Sequence, residues 1–153
     1  MTVERDESTA EARRFTLSVE QAPDARDIDS LVGGLVSFNN SRAELEDYRP
    51  LAVFLRDDKA RVVGGALGHT HWGWLFVSHL WVDESLRGSG HGEQILRAAE
   101  REAVARGCRH AHLDTFSFQA RPFYERLGYE LFGQLEDFPA GHTRYFLRKR
   151  DLR

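Results

Sequence analysis

The sequence predicts a single α+β domain, and three observations predict it. Its 153 residues suit one ordinary domain, large enough to bury a core without disulfides or metals. Alternating apolar runs of strand length outnumber the helical stretches, and two of them face each other across a turn as a hairpin. Just past the middle, a strand runs into a glycine-rich turn, L-R-G-S-G-H-G from Leu86 to Gly92. That turn opens the most regular helical pattern of the chain, and a further strand follows it.

Residues 1–14 are charged with few large apolar side chains, which predicts a mobile tail and places the domain at 15–153. F-T-L-S-V, from Phe15, alternates as a short strand. Asp24 to Phe38 carries Ile28, Leu31, Val32, Leu35 and Val36 at helical spacing, interrupted by Gly33-Gly34 and closed by Asn39-Asn40-Ser41. Leu51 to Leu55, a D-D-K turn and the run from Arg61 to His71 form the hairpin. W-G-W then turns the chain into a strand from about Leu75 to Val82. After the glycines, Ile95, Leu96, Ala99 and Ala103 share one helical face until Arg106-Gly107 stops it. C-R-H-A-H-L-D-T reads as a strand, and R-P-F-Y-E-R-L-G as a short helix with Pro122 in its first turn. Two closing strands, near 129–135 and 144–149, flank F-P-A-G-H.

Net charge is −3, with arginine and glutamate interleaved, which argues against a nucleic-acid binder relying on a broad basic face. The single cysteine, Cys108, excludes an internal disulfide. No apolar run reaches membrane-spanning length, and the first residues lack the apolar stretch of a signal peptide. A soluble, cytoplasmic protein that binds neither membrane nor nucleic acid is expected.

Glycines ahead of a helix let backbone approach a ligand, and free amides at a helix N-terminus favour anions. A P-loop is excluded because the Lys-Ser/Thr pair is missing. A dinucleotide fold has Asp114 at a suitable distance, but the spacing is G-x-G-x-G and only some sixty residues remain to complete a doubly wound sheet. His110-Ala-His112-Leu-Asp114 puts three potential metal ligands on one strand face and is similar to the H-x-H-x-D-H signature of metallo-β-lactamase-like hydrolases. Here the final histidine is Thr115, and alternation on a half-exposed strand yields such pairs, His69-x-His71 included, without any metal.

Taken together, L-W-V-D-E-S-L-R-G-S-G-H-G-E-Q-I-L and S-F-Q-A-R-P-F-Y-E-R-L-G-Y resemble the GCN5-related N-acetyltransferase (GNAT) family. Its Q/R-x-x-G-x-G/A signature is met by Arg87, Gly90 and Gly92, with a strand before it, a helix and strand after it, and F-Y-x-x-x-G-Y at the family's distance. The resemblance covers roughly residues 53–147 and implies the acyl-CoA N-acyltransferase fold. That fold has a mixed, mostly antiparallel sheet of six to seven strands and about four helices, with the coenzyme loop after the fourth strand.

The resemblance further implies acetyl-CoA as co-substrate, no metal, and direct N-acetylation of a primary amine on a small molecule or peptide. Arg87, Gly88, Ser89, Gly90, His91 and Gly92 would cradle the pyrophosphate. The backbone of Leu80, Trp81 and Val82 would bond pantetheine, and Ser117 stands where relatives often have a coenzyme-bonding Asn. Tyr124 matches the tyrosine placed beside the coenzyme sulfur. An alkylamine with a pKa of about 10.4 needs roughly 4.6 kcal/mol to lose its proton at neutrality, so a base or water relay is expected. Relatives often carry that base four positions before the strand's terminal valine, where this chain has Ser78. His79 beside it is the alternative, although alternation sends it to the opposite face. Phe38, Asn39, His69, His71, Trp72, Trp74 and Tyr145 lie in segments that border the family's acceptor cleft. Asp83 and Glu84 are either attractors of a cation or solvated turn residues. A non-catalytic acyl-CoA-binding module is the alternative that the displaced base raises, and the resemblance leaves a homodimer open.

Overall fold

The computed structural model describes residues 14–153, so nearly all of the tail expected at 1–14 lies outside the described residues. The chain divides into two compact units, one ending at Phe38 and one running from Asn39 to Arg153. In the first, Phe15, Leu17 and Val19 are exposed and form no strand, contrary to expectation. Alternation sets which way side chains point, whereas a strand also needs a ladder partner, and this run pairs with none. The first helix, α1, spans Ala25–Asn40. Asp24 begins it by accepting the Arg26 amide at 2.8 Å. Its apolar stripe of Ile28, Leu31, Val32 and Leu35 is exposed.

The second unit holds the sheet: β1 (Arg49–Arg56), β2 (Val62–His71), β3 (Trp74–Val82), β4 (His110–Phe116), β5 (Glu130–Glu136) and β6 (Thr143–Lys149), in the order β1-β2-β3-β4-β6-β5. Every pairing is antiparallel except β3 with β4. Asp57 makes the first hairpin turn by accepting the Lys59 and Arg61 amides, both at 2.9 Å. The second turn is Trp72-Gly73, with φ of 45° and 78°, the left-handed pair that suits a two-residue hairpin. Between the parallel strands lie a 3-10 turn (Glu84–Leu86) and α2 (His91–Ala105), and α3 (Arg121–Arg126) precedes β5. The described residues therefore hold six strands, three α-helices and one 3-10 turn, where about four helices were expected. Because no strand precedes β1 among the described residues, the glycine loop follows the third of their strands, where the fourth was expected.

The core lies between the sheet and α2. Ile95, Leu96, Ala99 and Ala103 share one face of α2 and are buried with Leu75, Val77, Ala111, Leu113 and Leu147 from three strands. One ionic cluster is buried in the same layer. Glu100 of α2 accepts from the Tyr129 hydroxyl at 2.9 Å and from Lys149 Nζ at 3.1 and 3.0 Å, so each oxygen has a charged or hydroxyl donor.

Two strand features position the site. Pairing of β3 with β4 covers only Trp74–Val77 against His110–Leu113, after which the strands separate. Opposite β2, Leu67 faces His79 and Gly68 faces Val77, so Ser78 is the additional residue of a β-bulge. The bulge requires glycine at 68, because a Cβ there would stand 1.9 Å from the Phe76 carbonyl oxygen. Gly68→Ala is expected to cost about 3 kcal/mol of stability, measured by denaturant unfolding; a change below about 0.5 kcal/mol would contradict this packing.

Candidate active site

A cleft of about 1300 Å³ opens where β3 and β4 separate. Leu75 and Val77 of β3 and Leu113 and Thr115 of β4 point into the α2 layer, so Phe76, Asp114 and Phe116 project from the other face. The cleft is lined from both sides of the sheet: by the glycine loop and α2 on one, and by Phe76, Ser78, His79, Asp114, Phe116, Phe118 and Arg144 on the other. From Ser78 to Val82 the β4-facing edge of β3 has no strand partner, and this stretch lines the gap.

The glycine loop has the form of an anion cradle. Gly88 and Gly90 adopt left-handed φ of 79° and 85°, and nothing stands within 4 Å of where their Cβ atoms would be. Gly90 is the N-cap of α2 and no side chain caps the helix, so the first amides of α2 open on the cleft beside Gly88, Gly90, His91 and Gly92. Arg87 ties the loop to β3, its Nε donating to the Val82 carbonyl at 3.0 Å. The lining carries four arginines (Arg87, Arg97, Arg126 and Arg144) against two carboxylates, Glu93 and Asp114. Both carboxylates are already paired, with Arg97 at 2.8 Å and with Arg144 at 2.9 Å. A long polyanion with a pyrophosphate fits this charge and this backbone.

The bulge overturns one expectation of strand alternation. Ser78 and His79 are not on opposite faces; the additional residue brings them together, with His79 Nδ1 at 2.9 Å from Ser78 Oγ. The Ser78 hydroxyl donates to the Leu67 carbonyl at 3.0 Å, which uses its only proton. His79 Nδ1–H is then the donor to Ser78 Oγ, which leaves Nε2 as the ring nitrogen not used in this contact. Both residues line the cleft.

Tyr124, on α3, is buried among core side chains and also lines the cleft. Its ring stands edge-on to Phe123 at 5.0 Å and to Tyr129 at 6.0 Å. Burial, and then the nearby Asp114 carboxylate, push its phenol up to about 12, so it is a hydroxyl donor throughout the neutral range. Cys108 is a buried free thiol that burial, with Asp47 adding to it, pushes upward, a poor environment for a nucleophile.

Among the residues singled out in the sequence, Ser78, His79, Leu80, Trp81, Val82, Arg87, Gly88, Gly90, His91, Gly92 and Tyr124 line the cleft, whereas Ser89 and Ser117 do not. Ser117 Oγ instead meets His142 Nδ1 at 3.2 Å and accepts the Thr143 amide at 3.2 Å. Asn39 donates to Glu46 at 3.2 Å, Glu46 pairs with His71, and His71 stacks on Trp72. His69 lies between Tyr48 and Phe76, Trp74 lies against His110, and Tyr145 sits under Arg121 at 4.6 Å. None of these lines the cleft, and Phe38 belongs to the first unit. The supposed metal ligands are engaged separately: His110 accepts the Asp151 amide, His112 stacks on Phe76, and Asp114 holds Arg144. Sequence reasoning missed Arg144, Phe116 and Phe118. Parity with Asp114 along β4 was the available signal for Phe116; Arg144 needed the β4–β6 register, which puts it opposite Phe116.

The histidine-rich face has a consequence for stability. His112 is held below the ordinary imidazole value by burial and then by His69, and His69 is held down by burial and then by His71. A depressed folded value means that the stabilisation is present above about pH 6.5 and is lost as pH falls through the lower folded values. Melting temperature is therefore expected to fall between pH 7 and 5, and less steeply in His112→Gln. Parallel profiles for the two proteins would contradict this.

An open gap between parallel strands, a glycine loop beside it and a phenol in its lining suit a coenzyme-dependent acyltransferase. Residues 12–129 match the acetyltransferase (GNAT) family. An acetyltransferase of Agrobacterium fabrum is 40% identical over 116 residues, covering 76% of this chain and 85% of that protein. The blasticidin-S acetyltransferase of Streptomyces morookaense is 38% identical over 112 residues, covering 71% and 82%. A crystal structure from Agrobacterium tumefaciens superposes with a TM-score of 0.82 at 36% identity, covering 89% of this chain and 99% of that one. The chain belongs to the GNAT family and is an N-acetyltransferase.

Proposed function

We propose that this enzyme transfers the acetyl group of acetyl-CoA directly to a primary amine of a small molecule, with His79 as general base and Tyr124 as hydrogen-bond donor to the leaving sulfur. The observation that carries the assignment is the Ser78–His79 pair, which leaves Nε2 of His79 unused by that contact at the opening between β3 and β4. When bound, acetyl-CoA supplies an acyl carbon attached to a good leaving group. The amides of Gly88 to Gly92 and Arg87 would hold its pyrophosphate, and the unpaired edge of β3 at Leu80–Val82 its pantetheine arm. His79 Nε2 takes the proton that the attacking amine loses, and Ser78 keeps the ring in the basic tautomer. Tyr124 is too weak an acid to give its proton outright. With its phenol at about 12 against roughly 8.5 for a thiol, complete transfer is uphill by about 5 kcal/mol, so its service is a hydrogen bond to the developing thiolate.

Cys108, buried and unactivated, argues for direct transfer rather than an acetyl-enzyme. We infer a cytoplasmic location; among the described residues no helix is long and apolar enough to cross a membrane. Because one relative is a blasticidin-S acetyltransferase, blasticidin S is the first acceptor to test. Acceptor-dependent thiol release from acetyl-CoA supports the reading, and saturable acetyl-CoA binding without turnover on any amine points instead to a non-catalytic acyl-CoA module.

A further inference from the structure

The side of the cleft away from α2 has a feature that acyl transfer itself does not need. Phe118 lines the cleft with 57% of its surface exposed. Phe116 stacks on it, with centroids 5.4 Å apart and planes 8° from parallel, and the His142 ring stands nearly perpendicular to it at 4.9 Å. Phe116 is backed in turn by Phe138, at 5.8 Å and 13°. The Arg144 guanidinium lies 5.5 Å from the Phe116 ring and 5.0 Å from the Phe138 ring, and its bond to Asp114 fixes it. The loop that carries Phe118 is pinned as well, since Gln119 Oε1 accepts the Phe116 amide at 2.9 Å and the Thr115 hydroxyl at 3.2 Å. An exposed phenyl in the lining of a cleft, stacked on a neighbouring ring and carried by a loop that Gln119 pins, is a surface for stacking organised before any ligand arrives.

Charge narrows the ligand further. The two carboxylates of the lining, Glu93 and Asp114, are committed to Arg97 and Arg144. A polyamine finds no free carboxylate in this lining to hold its second ammonium group, whereas a flat unsaturated ring needs only the plate.

We propose that the acceptor is an amine carried on a short arm from a planar unsaturated ring, and that the ring stacks on Phe118 while the arm enters the gap between β3 and β4. The identity of the arm's amine as the acetylated group rests on the transferase reading; the ring preference rests on the plate alone. The two are separable by experiment. Tyramine and histamine, as ring-bearing probes, and cadaverine and spermidine, as ring-free ones, are titrated into the coenzyme A-loaded protein and followed by ligand-observed NMR, with thiol release from acetyl-CoA measured in parallel.

The ring-bearing amines are expected to bind at least tenfold more tightly. Phe118→Ala should weaken them about tenfold, Phe118→Trp should restore them, and coenzyme A affinity measured on the same samples shows that the fold is intact. Equal binding of ring-free amines by the wild-type protein, or equal losses for both classes in Phe118→Ala, overturns the proposal. Ring-selective binding with no thiol release supports the plate and contradicts the transferase reading instead.

Discussion

Replacing His79 by glutamine is expected to lower kcat by about 100-fold at neutral pH, with little change in acetyl-CoA affinity. The size follows from general base catalysis, which is typically worth two to four powers of ten. The direction of the pH dependence follows as well. Without the base, the residual rate tracks the free fraction of the acceptor amine, which for a lysine-like amine rises about tenfold per pH unit toward about 10.4. Glutamine has an amide in place of the imidazole, so a polar contact to Ser78 Oγ survives while the basic Nε2 does not. The check is a kcat against pH profile of both proteins with one acceptor. A variant with wild-type kcat and an unaltered profile would remove His79 from the reaction and leave a water relay as the base.

Tyr124→Phe is the second large effect, with kcat expected to fall by about 100-fold. The substitution keeps the ring that packs edge-on to Phe123 and Tyr129 and removes only the hydroxyl, so the fold is spared. A hydrogen bond that strengthens as the sulfur gains charge stabilises the transition state more than the ground state, so kcat falls while KM for acetyl-CoA changes little. The cost should also depend on the leaving group. An acyl donor whose thiol is a stronger acid needs less help, and the gap between variant and wild type narrows. A loss that appears wholly in KM would assign Tyr124 to binding rather than to departure of the thiolate.

The parts of the site that were legible in the sequence are those built from one continuous segment. The glycines of 88–92 and the helix behind them carry their own conformational and periodic signals, and the stripe of Ile95, Leu96, Ala99 and Ala103 is local to α2. Tyr124 was legible because the F-Y-x-x-x-G-Y run contains its own helix and stop. What escaped depends on how strands pair. The meeting of Ser78 with His79 is a property of the β2–β3 register, in which two residues of one strand oppose one of the other, and alternation within β3 predicts the reverse. The contact of Asp114 with Arg144 spans 30 positions and exists because β6 returns beside β4. Residues 15–19 failed in the opposite sense: their alternation is real, but no neighbouring strand supplies a ladder. The side of the cleft away from α2 is the least legible because it is assembled from β3, β4, the loop after β4 and β6, four pieces that periodicity treats as unrelated.

The central claim, that His79 and Tyr124 serve direct acetyl transfer in the gap between β3 and β4, is tested most directly by thiol release from acetyl-CoA. The assay uses a primary-amine panel that includes blasticidin S, and compares the wild-type protein with His79→Gln and Tyr124→Phe. The account predicts acceptor-dependent release by the wild-type protein and a loss of about 100-fold in each variant at unchanged coenzyme affinity. Release of equal rate in all three proteins, or tight acetyl-CoA binding with no release on any amine, would contradict it.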